Sequence, residues 1–205
     1  MPEEPLRIIR TVCVFCGSSS GARPEYAIAA AKLGRALTRR NIALVYGGAR
    51  VGLMRAVADA VLETGGKVVG VIPELLVNRE IAHVGLTELR VVGSMHERKA
   101  TMADLADAFM LLPGGFGSWE EFCEVVTWAH LGLHTKPCGL LNVSGYYSPF
   151  LALAERAVAE GFVRASHQQA IAVDDDPDRL LDQLATVATV SESKWTTSSK
   201  RGTEV

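Results

Sequence analysis

The sequence predicts an α/β fold, a mostly parallel sheet with helices on both faces. Three observations predict it. Short apolar runs alternate along the chain with longer stretches whose apolar residues recur at helical spacing. The glycine clusters Gly17 to Gly21, Gly47-Gly48 and Gly114 to Gly117 each follow one of those runs, where a strand hands over to a helix. No repeat or linker divides the chain, so residues 1–190 read as one domain and the polar residues 191–205 as a disordered tail.

Each element has a local reason. Residues 1–10 read as a frayed lead-in, and residues 11–15 (Thr-Val-Cys-Val-Phe) as the first strand. Pro24 opens a helix to about residue 40, at a position where a missing N–H costs nothing. Residues 42–46 form the next strand, and a helix follows from 53 to about 62 until Gly65-Gly66 stops it. Residues 67–72 are a strand, 73–83 an irregular region and 88–92 a short strand. A helix over 94–106 leads into the apolar strand 108–112. Trp119, Phe122, Val125, Val126 and Ala129 then mark a helix over about 118–130. Residues 137–143 are a strand, 149–160 a helix and 170–173 the last strand. Asp174-Asp175-Asp176-Pro177 caps a final helix to about residue 188.

Composition bounds the partners. The 205 residues are 48% hydrophobic and 21% charged, ordinary for a globular domain with a substantial core. A net charge of −2 gives no electrostatic footprint for nucleic acid. No apolar run is long enough for a membrane span and no signal core follows Met1, so a cytoplasmic protein is expected. The four cysteines make no disulfide framework. Cys13 and Cys16 are spaced C-x-x-C, but three positions apart on a strand they face opposite sides, so buried inert thiols are expected. His130 and His134 have a metal-pair spacing without a clustered third ligand, and no metal is expected there.

The chain is organised around Pro113-Gly114-Gly115-Phe116-Gly117-Ser118-Trp119-Glu120-Glu121. A glycine turn that opens a helix presents free N–H groups and the positive end of the dipole, an anion site. No Gly-Lys-Ser/Thr closes it, and Gly115-x-Gly117-x-x lands on Glu120, so it is neither a Walker loop nor a dinucleotide fingerprint. The bland alternative is that Ser118 and Glu121 form a capping box and only close the helix start.

Ser94 and Glu97 have the same spacing, which places Arg98 near a helix N-terminus and on the face of Met95, Met102, Leu105 and Phe109. A cation there opposes the dipole and calls for an anionic partner: an internal carboxylate, a bound phosphate, or Glu121. Gly17-Ser18-Ser19-Ser20-Gly21 matches the serine-hydrolase elbow G-x-S-x-G, yet no helix follows directly. A turn that binds ligand through its hydroxyls is the simpler reading. A phosphate cradle, an arginine and a carboxylate at one sheet edge suit sugar–base cleavage through an oxocarbenium-like transition state. They equally suit a non-catalytic carrier of a phosphorylated ligand.

The stretch Pro113 to Glu121, taken with Met95-His96-Glu97-Arg98-Lys99, resembles the Lonely Guy family of phosphoribohydrolases that activate cytokinins. The family pattern P-G-G-x-G-T-x-x-E stands here with Ser118 for threonine, which keeps the hydroxyl. The resemblance runs on through Tyr46-Gly47-Gly48, Gly52-Leu53-Met54, Trp128-Ala129, Lys136-Pro137 and Asn142 to Tyr147, from about Thr11 to Leu184. It implies a Rossmann-like homodimer that hydrolyses N6-prenylated adenosine 5′-monophosphate to cytokinin base and ribose 5-phosphate, with no cofactor. A broader nucleosidase acting on plain AMP is the alternative. By family match Arg98 and Glu121 are the catalytic pair. Gly114, Gly115, Phe116, Gly117, Ser118, Trp119 and Glu120 line the substrate with them, and Glu80, Lys99 and Thr127 contact it. Such proteins are often labelled lysine decarboxylases, but no lysine here sits in a pyridoxal-phosphate context.

Overall fold

A computed structural model describes residues 7–77 and 81–188. Seven strands make one sheet, β1 (Thr11–Phe15), β2 (Ala43–Tyr46), β3 (Val68–Pro73), β4 (Glu88–Val92), β5 (Ala108–Leu111), β6 (Cys138–Leu141) and β7 (Ile171–Asp174). Their order is β4-β3-β2-β1-β5-β6-β7, and every pairing is parallel. The chain therefore winds outward from β1 to β4, then returns to the other flank of β1 with β5. That reversal, between β1 and β5, is the position at which open parallel sheets receive ligands. Asp107 fixes the pairing there, because its Oδ2 accepts from the N–H groups of both Arg10 and Thr11 at 2.9 Å.

Helices cover both faces, as parallel strands require. On one face α1 (Pro24–Arg39), α2 (Gly52–Glu63) and α8 (Pro177–Thr186) pack Leu33, Leu37, Val57 and Leu180 against Val12, Val14 and Leu44. On the other, α4 (Met95–Leu105), α5 (Phe116–His130) and α6 (Ser148–Ala159) pack Met102, Phe122 and Leu151 against Cys13, Phe15, Val71 and Phe109. Cys13 and Cys16 fall in these two different cores, as strand alternation demands, and burial pushes both thiols well up. At α8 the Asp176 carboxylate accepts from the N–H groups of Asp178 and Arg179, the cap expected of the acidic run. The same run ties α8 to α1 through Lys32–Asp176 and Arg39–Asp178.

The parallel sheet with helices on both faces is the expected fold class, and all its pairings are parallel. The structure departs from the expected elements in two places. Two short helices appear, α3 (Glu74–Val77) in the region expected to be irregular and α7 (Ala165–Gln169) before β7. The helix after the glycine turn begins at Phe116, two residues before Ser118. The lead-in before Arg7, Glu80 and the tail beyond residue 188 lie outside the described residues. Among the described residues no helix is long and apolar enough to cross a membrane.

Phe109 is fully buried in β5 and stacks on Phe15 with ring planes 7° apart. Truncating it leaves a cavity that rigid strands cannot close. Phe109→Ala should cost about 3–5 kcal/mol, read as a lower urea midpoint; an unchanged midpoint would contradict this account of the core.

Candidate functional site

The loops after β1, β2 and β5 meet above the switch point. Gly17 N donates to Pro113 O at 3.0 Å, and Leu53 N at the start of α2 donates to Gly17 O at 3.0 Å. A cavity of about 310 Å³ opens between the loops after β1 and β5, lined by Ser18, Ser19, Ser20, Gly114, Gly115 and Tyr146 among others. Tyr26 and Tyr146 meet edge to face at 5.6 Å on its wall. Ser19 Oγ accepts from Gly21 N at 3.3 Å, so its hydroxyl helps close the turn.

The glycine turn is a helix start and not a capping box. Gly115 is the extended residue before α5 (φ −100°, ψ −159°), with no side chain capping it. Ser118 thus lies in the first helical turn, buried, with its hydroxyl against Gly114; a Cβ added at Gly114 would sit 2.3 Å from Ser118 Oγ. Only glycine fits there. At Gly115 and Gly117 an added Cβ would meet nothing within 4 Å, so these two leave the helix N-terminus open to approach. The first N–H groups of α5 have no partner within the helix, and the dipole makes that end favourable to an anion.

Glu121 turns away from the helix start to Arg98. Arg98 Nη1 donates to Glu121 Oε1 at 2.5 Å and Arg98 Nε to Val71 O at 3.1 Å. The two side chains are 10% and 12% exposed. Arg98 reaches this place because α4 is set by its cap: Ser94 Oγ accepts from Glu97 N, and Glu97 Oε2 accepts from Gly93 N. Gly47 admits the guanidinium; a Cβ there would lie 2.1 Å from Arg98 Nη2. Burial raises the Glu121 pKa above the ordinary glutamate range, more than the guanidinium lowers it. The pair is therefore a carboxylate poised to take a proton beside a fixed cation. It lies beside Gly47 and is not part of the wall of the Ser18–Gly114 cavity.

The other expected residues are placed as follows. Lys99 is ion-paired with Glu120 (Nζ–Oε1 2.6 Å) and with Glu124 (Nζ–Oε2 3.0 Å), which keep it protonated. Phe116 is 84% exposed and meets Trp119 edge to face at 5.0 Å. Thr127 is exposed on α5, its hydroxyl bonded to Cys123 O. Glu80 falls outside the described residues. His134 commits both ring nitrogens to the backbone, Nε2 to Val125 O and Nδ1 to Lys136 N, while His130 stacks on His167. The sequence reading missed Glu124, the Val71 carbonyl, and the two hydroxyls on the glycine turn, Tyr146 Oη on Gly114 O and Tyr147 Oη on Leu112 O. Only the adjacency of the two tyrosines after Asn142 pointed to them.

Comparison with known proteins identifies the family and the fold. A family model described as possible lysine decarboxylase matches residues 54–184. The chain is 54% identical over 168 residues to a cytokinin riboside 5′-monophosphate phosphoribohydrolase of Rhodococcoides fascians, covering 82% of this chain and 85% of the relative. It is 50% identical over 182 residues to one of Arabidopsis thaliana, covering 89% and 84%. A probable enzyme of that name from Oryza sativa subsp. japonica is 53% identical over 175 residues, covering 85% and 77%. Among solved structures, a molybdenum cofactor carrier protein of Chlamydomonas reinhardtii superposes with a TM-score of 0.63 at 19% identity, covering 85% of this chain and 96% of that one. A molybdenum cofactor binding protein of Rippkaea orientalis gives 0.63 at 18%, covering 84% and 93%. At those identities the likeness is one of fold. The motifs Pro113 to Glu121 and Met95 to Lys99, their meeting in the Arg98–Glu121 pair, and relatives of about half identity over most of the chain all place this protein in the Lonely Guy family.

Proposed function

We propose that this protein hydrolyses the N-glycosidic bond of N6-prenylated adenosine 5′-monophosphate, releasing the free cytokinin base and ribose 5-phosphate. The observation that carries the reading is the buried Arg98–Glu121 pair one and a half turns along a helix whose N-terminus is open to an anion. The 5′-phosphate binds the first N–H groups of α5, with the Ser18–Ser20 hydroxyls opposite. Binding energy from that remote group positions the ribose. The bond between the anomeric carbon and the base nitrogen breaks with its electron pair going to the base, and the sugar gains oxocarbenium character. Glu121 stabilises that charge and takes the proton of the water that adds to the anomeric carbon; that proton then passes through solvent to the departed base nitrogen, which leaves the base neutral and Glu121 ionised again. Arg98 orients Glu121 and keeps it ionised against the penalty of burial.

The order of residues along α5 supports this pose. Gly115 and Gly117 stand at its start, Glu121 follows, and Thr127 comes last. At ~1.5 Å per residue, Glu121 is about 7 Å and Thr127 about 16 Å along the axis from Phe116. Phosphate, sugar and base with its N6 substituent are met in that sequence. Glu120, Trp119, Lys99 and Glu80 contact the substrate in the same reading, as Phe116 does from the mouth. The enzyme acts as a cytoplasmic homodimer and needs neither cofactor nor metal.

Chromatographic assay of base release from prenyl-AMP, AMP and the prenylated nucleoside tests the reading. The nucleotide should be cleaved and the nucleoside slowed by ~100-fold or more, because the remote phosphate supplies transition-state binding. Equal rates would contradict the cradle, and tight nucleotide binding without base release would favour the carrier. A preference for plain AMP would favour the general nucleosidase.

Glu121→Gln should lose ~10²-fold or more in kcat, the scale of a positioned proton-transfer group, and Arg98→Ala should lose turnover as well because Glu121 then lacks the cation that orients it. Wild-type turnover in a folded variant would remove that residue from the chemistry. The pH dependence has a definite sign. Glu121 must be ionised to accept a proton, so activity falls as pH drops through its raised pKa, and the acid limb should lie above the range of an ordinary exposed glutamate. A limb in or below the ordinary glutamate range would contradict the buried-base role.

A further inference from the structure

Four successive carbonyls of the glycine turn each accept a hydrogen bond from within the protein. Leu112 O accepts from Tyr147 Oη at 2.8 Å, Pro113 O from Gly17 N at 3.0 Å, Gly114 O from Tyr146 Oη at 2.6 Å, and Gly115 O from Trp119 N at 3.1 Å. In a trans peptide the C=O and the following N–H point in opposite directions. Holding a carbonyl into the protein therefore aims the next N–H outward.

The Gly114–Gly115 peptide differs from its neighbours. Glycine on both sides gives it the fewest steric barriers to rotation. The peptides before and after a flipped one would be restored by backbone contacts, Pro113 O by the β1 loop and Gly115 O by the α5 ladder. Gly114 O has a side chain instead. Were this peptide to turn over, a carbonyl oxygen would replace the Gly115 N–H at the open end of α5, and attraction for an anion would become repulsion.

Tyr146 is itself rigidly presented. The chain turns after β6 through Ser144 and Gly145, with φ of 51° and 72°, and Asn142 Oδ1 accepts from Tyr147 N at 2.7 Å. Tyr26 packs edge to face on the Tyr146 ring. We infer that Tyr146 is a positioning residue: its hydroxyl holds the Gly114 carbonyl and so keeps the Gly115 N–H aimed at the phosphate of the substrate. The inference rests on the reading that this turn grips a 5′-phosphate.

Tyr147 supplies an internal control. It makes the same kind of bond, to Leu112 O, but the next residue is Pro113, which has no N–H to aim. The experiment compares wild type, Tyr146→Phe and Tyr147→Phe by calorimetric binding of ribose 5-phosphate, by base-release kinetics on prenyl-AMP and by thermal melting. In Tyr146→Phe the competent orientation becomes a minor one that the substrate must select. Ribose 5-phosphate affinity should fall and KM should rise by ~10-fold, with kcat within ~2-fold of wild type. Free adenine should bind as before. Tyr147→Phe should melt lower with ribose 5-phosphate affinity unchanged. Wild-type affinity and KM in Tyr146→Phe would overturn the inference. So would parallel losses of affinity in both variants that track their melting temperatures, since those would report stability alone. Wild-type protein that fails to bind ribose 5-phosphate would overturn the phosphate reading itself, and this inference with it.

Discussion

The rest of the site depends on one buried ion pair, Arg98 with Glu121. A guanidinium near the start of a helix, in contact with the core, is unfavourable in three ways: it is desolvated, it faces the positive end of α4, and it crowds a neighbouring loop. Each is answered by a specific group. Glu121 supplies the opposite charge, Val71 O takes a second N–H, and Gly47 has no side chain to collide with it. One side chain thereby connects the ends of β2 and β3 with α4 and α5. Removing either partner would strand a charge in a nearly dry site, which is far costlier than never having buried the pair.

The same economy governs the glycine turn. Main-chain amides can face an anion only if their carbonyls are directed elsewhere, and the bonds accepted by Pro113 O, Gly114 O and Gly115 O do this here. The β1 loop serves both ends, since Gly17 gives its N–H to Pro113 and takes one from Leu53 of α2. The switch point of the sheet is thus where β1 and β5 lie side by side, and also where their following loops hold each other's backbone. The open start of α5 and the buried Arg98–Glu121 pair are then set by one junction of loops and helices.

Much of this was legible in the sequence because it is local. Apolar runs marked the strands, glycine clusters marked the loops that converge, and Asp176 before Pro177 marked a cap that the structure reproduces. The position of Arg98 implied an anionic partner on physical grounds alone. What was misread follows from the same locality. The helix expected from about residue 118 starts at Phe116, and the capping-box alternative for Ser118 and Glu121 falls away because Glu121 is claimed by a residue 23 positions away. The helix α7, five residues long, has too few turns to show a period. The bonds of Tyr146 and Tyr147 span 32 and 35 positions and leave no pattern a sequence window can hold.

The central claim is geometric: the N–H groups at the start of α5 hold a phosphate while Glu121 faces the anomeric carbon. A crystal structure with ribose 5-phosphate tests it most directly. The account predicts phosphate oxygens within hydrogen-bond distance of the amides from Gly115 to Ser118, with the anomeric carbon toward the Glu121 carboxylate. Ribose 5-phosphate seated elsewhere, with this turn unoccupied, would contradict it.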